Sequence, residues 1–285
     1  MSNNTNIVGV DLGGTNVRAG IVSNDTLVHI QSQKIDANQG EEEVLQQVFT
    51  FLDQVITPAV TAIGVGVPGL VDTATGVVYD VINIPSWREV QLREKMEKRY
   101  NCPVFINNDA NCFALGEFYF GKGRESNSMI GLTIGTGLGA GIVINKKLYS
   151  GFTGGAGEFG MIDYLDKYYE YYASGQFFQN VYKTDGELVY ALATKGDAEA
   201  IKMYEEMGAH LGNAIKMILY ALDIELIVIG GSVRHAYTYF EKPMWQQINT
   251  LAFQRSPKLL QIKISELTNS GILGAAALCY DSFRG

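Results

Sequence analysis

The sequence predicts a two-lobed α/β protein with a cleft between its halves. Short apolar strands alternate with amphipathic helices along the chain, which is the signature of α/β architecture. The segment Gly14–Val22 returns as Gly135–Val143 with six of nine positions identical: Gly14, Thr15, Ala19, Gly20, Ile21 and Val22 recur as Gly135, Thr136, Ala140, Gly141, Ile142 and Val143. A glycine turn between two strands, repeated once per half, suggests a duplicated domain. No low-complexity stretch separates the copies. The boundary near residue 119 therefore reads as a hinge inside one molecule rather than a flexible tether.

The elements follow in order. Ile7–Asp11 is a short apolar strand ending in Asp11 and a glycine pair, and Arg18–Val22 and Leu27–Ile35 are two more strands joined by the turn Ser23-Asn24-Asp25. Between Glu41 and Ile56 the apolar residues Val44, Leu45, Val48, Phe49, Leu52 and Ile56 fall at helical spacing. Ala62–Val67 is a β-branched run closed by Pro68-Gly69, a helix runs through Val90–Tyr100, and the strand Val104–Asn107 leads into a helix over Ala110–Phe120. After the second glycine hairpin come helices over Ser174–Tyr182, Glu187–Thr194 and Ala198–Leu222. The strand Leu226–Ile229, a helix over Tyr237–Phe253, the strand Gln261–Ser265 and a last helix over Ile272–Phe283 complete the chain.

Composition narrows the function. The 285 residues are 47% hydrophobic and 18% charged, with a net charge of −8. That supports a large core and argues against non-specific nucleic-acid binding, which depends on Lys and Arg neutralising phosphate. Cys102, Cys112 and Cys279 form neither a disulfide framework nor a metal motif, so reduced thiols are expected. The polar start lacks a signal-peptide core and no apolar run is long enough to span a membrane, so a cytoplasmic protein is expected. Asn3-Asn4-Thr5 matches a glycosylation acceptor that has no meaning without secretion. His29, His210 and His235 are scattered and expected to be surface or satisfied residues, and the tyrosines between Tyr164 and Tyr172 are expected to pack.

Four glycine-rich turns follow strands: Asp11-Leu12-Gly13-Gly14-Thr15, Gly66-Val67-Pro68-Gly69, Gly135-Thr136-Gly137-Leu138-Gly139 and Gly230-Gly231-Ser232. Glycine lets the backbone approach phosphate closely, and successive N–H groups then form an anion-binding concavity. None has the spacing of a P-loop or a dinucleotide fingerprint. Several phosphate-type turns without a P-loop point to a nucleotide held between two lobes.

As a set, these turns resemble the ROK family of repressors, open reading frames and sugar kinases. The resemblance rests on Asp11–Thr15 with Arg18 and Gly20, Gly66–Gly69, Asn107-Asn108-Asp109-Ala110-Asn111 with Gly116-Glu117, Gly135–Gly139 and Gly157-Glu158-Phe159-Gly160, in order over nearly the whole chain. It implies two ribonuclease-H-like lobes of the actin and hexokinase type, with the final helix returning to the first lobe. The expected domains are 1–118 plus 271–285 as the small lobe and 119–270 as the large lobe. It also implies transfer of the ATP γ-phosphoryl group to a hexose hydroxyl, most often at C6. Phosphoryl transfer is largely positioning and charge stabilisation, with a carboxylate to take the hydroxyl proton.

The resemblance assigns that base to Asp109, a residue that would otherwise serve as a helix N-cap. It places Asp11 toward the γ-phosphate and Mg²⁺, directly or through water. Gly13, Gly14, Thr15, Gly135, Thr136, Gly137, Gly230 and Gly231 would hold ATP phosphates. Arg18 is either a γ-phosphate contact or a surface charge. Gly69, Asn83, Asn108, Asp109, Glu158 and Glu170 would bind the sugar, with Asn and Glu reading hydroxyl orientation. The expected partners are a hexose substrate and a second copy of the chain in a homodimer, with neither nucleic acid nor membrane.

The chain also departs from the family pattern. Met161 stands where a histidine usually follows Gly-Glu-Phe-Gly, and no cysteine follows in the shortened stretch up to Tyr169. Zinc needs soft N and S ligands, so no structural zinc is expected. Alternatives are a repressor, for which the first strand at Ile7 leaves no room for a preceding helix-turn-helix, a non-catalytic sugar sensor derived from a kinase, and a polymerising actin-like ATPase.

Overall fold

The computed structural model describes residues 6–283, so the Asn3-Asn4-Thr5 acceptor lies outside the described residues. From Asn6 the chain runs through β1 (Asn6–Leu12), β2 (Asn16–Ser23), β3 (Thr26–Lys34), α1 (Glu41–Leu52), β4 (Val60–Val67), β5 (Leu70–Asp72), β6 (Val77–Tyr79), β7 (Glu89–Val90), α2 (Leu92–Tyr100), β8 (Val104–Asn108) and α3 (Asp109–Phe120). It continues through β9 (Met129–Ile134), β10 (Leu138–Ile144), β11 (Lys147–Leu148), β12 (Asp163–Tyr164), β13 (Lys167–Tyr168), α4 (Tyr169–Ala173), α5 (Gln176–Tyr182), α6 (Gly186–Ala193) and α7 (Ala198–Leu222). The last elements are β14 (Leu226–Gly230), α8 (Tyr237–Ile248), α9 (Arg255–Leu259), β15 (Gln261–Ile264) and α10 (Ser270–Phe283). Two five-stranded sheets result, ordered β3-β2-β1-β4-β8 and β11-β10-β9-β14-β15.

The chain divides into two compact units. The first takes the chain up to Glu125, returns for Gly141–Ala156 and closes with the segment from Glu266 onward. The second comprises Ser126–Ala140 and Gly157–Ser265.

In the first unit, β1 pairs antiparallel with β2 and parallel with β4, and β4 pairs parallel with β8. Val8, Val10, Val17, Ile63, Val65 and Leu45 are buried in one core beneath this sheet. The other face is covered by α10, whose run Gly274–Ala277 is small throughout and whose three alanines favour helix. Small residues on both partners are required. A Cβ on Gly9 would lie 2.0 Å from the Ile272 carbonyl oxygen, and one on Gly64 would lie 1.8 Å from that of Ala275. The helix backbone therefore lies directly on β1 and β4. A Cβ on Gly274 would similarly meet the Cys112 carbonyl oxygen at 2.1 Å, so α3 and α10 also touch backbone to backbone.

In the second unit, β14 pairs parallel with β9 and with β15, and β14 is buried along its whole length. The 25-residue helix α7 buries Met207, Leu211, Ile215 and Ile218 on one stripe. A Cβ on Gly208 would sit 2.5 Å from the Phe240 carbonyl oxygen, which sets the close crossing of α7 and α8. Among the described residues no helix is long and apolar enough to cross a membrane.

Several stretches differ from the sequence expectation, which contained neither β11 nor the hairpin β12–β13 nor the short helices α4 and α9. Between Pro68 and Glu89 no element was expected, yet β5, β6 and β7 form a small antiparallel sheet. Its strands are two or three residues long, too short to show a period. Val90 was expected to open a helix, but it pairs with Val78 and is fully buried, so α2 starts at Leu92. The helix expected to reach Phe253 ends at Ile248, where the Thr250 hydroxyl donates to the Gln247 carbonyl at 2.7 Å and turns the chain.

Candidate active site

The turn between β1 and β2 is closed by the Gly13 N–H, which donates to the Asn16 carbonyl at 2.9 Å. Asp11 lies opposite Arg18 in the strand register, with its carboxylate 3.9 Å from the guanidinium. Burial raises the Asp11 pKa, and Arg18 offsets only part of that effect. Arg18 also donates to the Asn269 side chain at 2.5 Å, just ahead of α10, so it is engaged on both sides. Gly271, the second residue of α10, leaves room for the carboxylate, since a Cβ there would be 2.4 Å from Asp11 Oδ2. Asn83 covers the same turn: a Cβ on Gly14 would lie 2.1 Å from the Asn83 Cβ. Its neighbours explain the placement. Ile84 and Trp87 are fully buried and anchor a tight loop, leaving Asn83 on the exposed side.

The end of β8 carries Asn107, Asn108 and Asp109. The N-cap position, the alternative role for Asp109, belongs to Asn108: its Oδ1 accepts from the Ala110 N–H at 2.8 Å and the Asn111 N–H at 3.4 Å, and the Ala110 N–H lies equally close to Asp109 Oδ1, at 2.8 Å. Asp109 is instead the first residue of α3, exposed at its surface. Asn108 Nδ2 reaches the Gly69 carbonyl at 3.5 Å, which joins two of the sugar-binding candidates. Behind them, Asn107 accepts from Asn111 Nδ2 at 2.9 Å and donates to the Ser150 hydroxyl at 3.1 Å, fixing the mouth of the helix. The buried Cys112 thiol has its pKa raised by burial first, then by the charges of Asp109 and Asp11. Both carboxylates are therefore within electrostatic reach of one buried sulfur. The first unit thus gathers Asp11, Gly13, Gly14, Thr15, Arg18 and Asn83 at one turn, and Gly69, Asn108 and Asp109 beside the β8–α3 junction.

In the second unit, the turn between β9 and β10 is closed by the Gly135 N–H donating to the Gly137 carbonyl at 3.0 Å. It is also held from outside. Glu170 Oε2 accepts from the Leu138 N–H at 2.9 Å, the Ser174 hydroxyl donates to the Thr136 carbonyl at 2.9 Å, and the Gly175 N–H donates to the Gly135 carbonyl at 2.7 Å. Gly231, with φ +79°, presses on the end of β9, where a Cβ would meet the Ile134 carbonyl oxygen at 2.2 Å. Beside the turn lies a cavity of about 680 Å³, lined by Gly135, Thr136, Phe178, Tyr204, Ser232 and Val233 among others. Of this wall, sequence reasoning named Gly135 and Thr136 and missed Phe178, Tyr204 and Val233, together with Ser174 and Gly175. The one available signal was the Ser-Gly pair, which breaks the helical pattern ahead of Gln176.

Glu158 and Glu170 come together. Partial desolvation raises the Glu158 pKa, and the charge of Glu170 adds to it. Glu170 is held between the turn and Gln176, whose amide donates to its Oε1 at 3.3 Å. The nearby tyrosines pack as the sequence suggests. Tyr164 and Tyr169 stack at 4.3 Å, the Tyr164 hydroxyl meets His210 Nδ1 at 3.1 Å, and Tyr172 donates to Asp166. Tyr169 is buried, Tyr172 is half-buried, and burial lowers the His210 pKa. Met161 is half-exposed, and the hairpin β12–β13 that follows it is anchored on α7 through Tyr164, His210 and Asn213. Cys112 and Cys279 are buried and Cys102 is half-buried, all as free thiols. Of the other histidines, His29 is exposed and His235 lines the cavity.

Two sheets with this strand order, each carrying a glycine hairpin, make the two-lobed α/β fold of actin and the hexokinases. The chain belongs to the ROK family, whose model matches residues 7–282. It is 30% identical to the glucokinase of Halalkalibacterium halodurans, over 95% of this chain and 94% of that protein. It is 26% identical to the xylose repressor of Bacillus subtilis, over 97% of this chain and 77% of that protein. Among solved structures it is similar to the ROK family glucokinase of Streptomyces griseus in complex with glucose and AMPPNP. That similarity has a TM-score of 0.78 and 26% identity over 96% of this chain and 98% of that one.

Proposed function

We propose that this chain is an ATP-dependent sugar kinase that transfers the γ-phosphoryl group to a hexose hydroxyl, with C6 of glucose or a related aldohexose as the acceptor. The observation that carries the reading is the β8–α3 junction. Asn108 takes the N-cap position, and Asp109 follows it in the first turn at the protein surface, with Oδ1 accepting the Ala110 N–H at 2.8 Å. Such a carboxylate can accept the proton of the attacking hydroxyl. The glucokinase relatives support the same class of reaction.

Each remaining group has a matching role. Gly69, Asn83, Asn108, Glu158 and Glu170 orient the sugar hydroxyls. The turns at Gly13–Thr15, Gly135–Gly137 and Gly230-Gly231 offer the phosphates backbone N–H groups other than those of Gly13 and Gly135, which close their own turns. The cavity of about 680 Å³ beside Gly135 has the volume and the apolar walls that an adenosine group needs. Mg²⁺ fits the donor set, because it is usually held by one or two carboxylates together with phosphate and water, and Asp11 is the carboxylate at the first turn. When bound, Mg²⁺ supplies charge neutralisation of the phosphates. Arg18 keeps the Asp11 side chain in place through its contacts at 3.9 Å to Asp11 and 2.5 Å to Asn269. Zinc finds no matching donors in the segment from Met161 to Tyr169, which contains neither Cys nor His.

The test is coupled ADP release over a panel of hexoses. ADP release that requires one aldohexose and saturates with it is expected. Sugar binding without turnover for every hexose would instead support a sugar-sensing protein derived from a kinase, a reading favoured by the likeness to the xylose repressor.

A further inference from the structure

We propose that Glu170 is a positioning residue for the nucleotide-phosphate turn, so that one carboxylate serves the sugar with one oxygen and braces the Gly135–Gly139 backbone with the other. The proposal rests on the reading of that turn as a nucleotide site. Its starting point is the division of labour within the carboxylate. Oε2 accepts the Leu138 N–H at 2.9 Å, a well-formed charge-assisted bond, whereas Oε1 has the longer contact with the Gln176 amide, at 3.3 Å. A sugar hydroxyl can therefore take Oε1 without disturbing the turn.

The brace does not stand alone. Glu170 lies in α4, and the residues just beyond that helix hold the same turn. The Ser174 hydroxyl lies within hydrogen-bonding distance of the Thr136 carbonyl at 2.9 Å and the Glu170 carbonyl at 2.7 Å. The Gly175 N–H donates to the Gly135 carbonyl at 2.7 Å. Thus Gly135, Thr136 and Leu138 each have a backbone group tied to the five-residue helix or its end. The tie needs both glycines. A Cβ on Gly137 would lie 2.5 Å from Glu170 Oε2, and one on Gly175 would lie 2.6 Å from the Gly135 carbonyl oxygen. Ser174 is fully buried, so its bonds are shielded from water.

The helix is itself fixed. The Tyr169 N–H donates to the Ile162 carbonyl at 3.1 Å, and the Tyr169 ring stacks on Tyr164, which is bonded to His210 and Asn213 of α7. A carboxylate that merely read a sugar would need none of these turn contacts. Removing it should loosen the phosphate turn even when no sugar is present.

The experiment is isothermal titration of the full chain with ADP in the absence of any sugar, for wild type, Glu170→Ala, Glu170→Gln and Ser174→Ala. Glu170→Ala is expected to weaken ADP binding by about tenfold, the scale of one lost charge-assisted bond. Glu170→Gln keeps an oxygen for the Leu138 N–H and should stay within about twofold of wild type for ADP, while the apparent KM for the sugar rises in both variants. Ser174→Ala should weaken ADP binding severalfold. Hydrogen exchange at the Leu138 amide supplies a readout that needs no ligand: it should accelerate in Glu170→Ala and not in Glu170→Gln. Wild-type ADP affinity and unchanged Leu138 exchange in Glu170→Ala would overturn the brace. If wild type itself does not bind ADP, the nucleotide reading of the turn falls, and the proposal falls with it.

Discussion

The two glycine turns are copies in sequence, yet they are held in opposite ways. The first, between β1 and β2, carries its own charges: Asp11 and Arg18 sit on its flanking strands, and Asn83 packs over Gly14. The second, between β9 and β10, carries no charge from Ile134 to Gly139 and borrows Glu170, Ser174 and Gly175 from the α4–α5 corner. The same hairpin thus presents a carboxylate in one unit and a braced backbone in the other. A duplicated turn keeps its geometry because glycine sterics are local, whereas its electrostatics diverge because they depend on which elements pack beside it.

The largest effect should come from Asp109, the exposed carboxylate at the β8–α3 junction of the first unit. Asp109→Asn is expected to lower turnover by roughly a hundredfold or more, the usual scale for losing a general base, with sugar and nucleotide affinity retained. Stability should fall by less than about 1 kcal/mol, because the amide keeps an oxygen for the Ala110 N–H and loses only the first-turn charge; Asn108→Ala should cost about 1 kcal/mol in denaturant unfolding. Wild-type turnover by Asp109→Asn would remove the chemical distinction between the two units.

The comparison sharpens with matched alanines. In Gly14→Ala the new methyl would lie 2.1 Å from the Asn83 Cβ and 2.8 Å from its carbonyl oxygen, atoms that cannot swing away. A loss of about 2 kcal/mol in stability is expected, with a matching rise in sugar KM. In Gly137→Ala the methyl meets the end of the Glu170 side chain at 2.5 Å, which can rotate aside. Stability should fall by less than about 1 kcal/mol, while ADP binding weakens. Equal destabilisation of the two variants would show that both turns are held alike.

The smallest effect is a pH signature of Asp11. Its pKa is raised above the ordinary 3.8 by burial, despite Arg18. The folded state therefore binds the proton more tightly than the unfolded state does, so stability from this group is greatest below the unfolded pKa and is lost as pH rises through the folded one. Asp11→Asn removes the deficit. Its melting temperature should exceed that of wild type at pH 7, and the two should converge by about pH 3.5. A wild type that is the more stable protein at pH 7 would mean that Arg18 outweighs burial.

Much of the fold was legible because it is written in short periods. The short apolar runs of β1, β4, β8 and β14 and the helical spacing in α1 and α7 follow from neighbours in sequence. The missed sheet β5-β6-β7 has strands too short to carry a period, and Val90 owes its strand to Val78 across a loop. The site shows the same split. Asn108 and Asp109 were both marked as candidates, but which of them caps α3 depends on backbone angles: Asn108 is extended at φ −61° and ψ 150°, as a cap residue must be. Arg18 could not be assigned because its partner Asn269 lies 251 residues away.

By itself, then, the sequence determined the two-sheet α/β class, the duplicated hairpin, the family and the set of candidate residues, since each rests on local spacing or on motifs in order. The tertiary structure alone decided that Asn83 lies over Gly14, that α10 leaves room for Asp11 at Gly271, and that Glu170 reaches into the Gly135–Gly139 turn. Those are through-space approaches of a few ångströms between distant segments. They are set by how helices settle on sheets, and no pattern in any single stretch of chain encodes them.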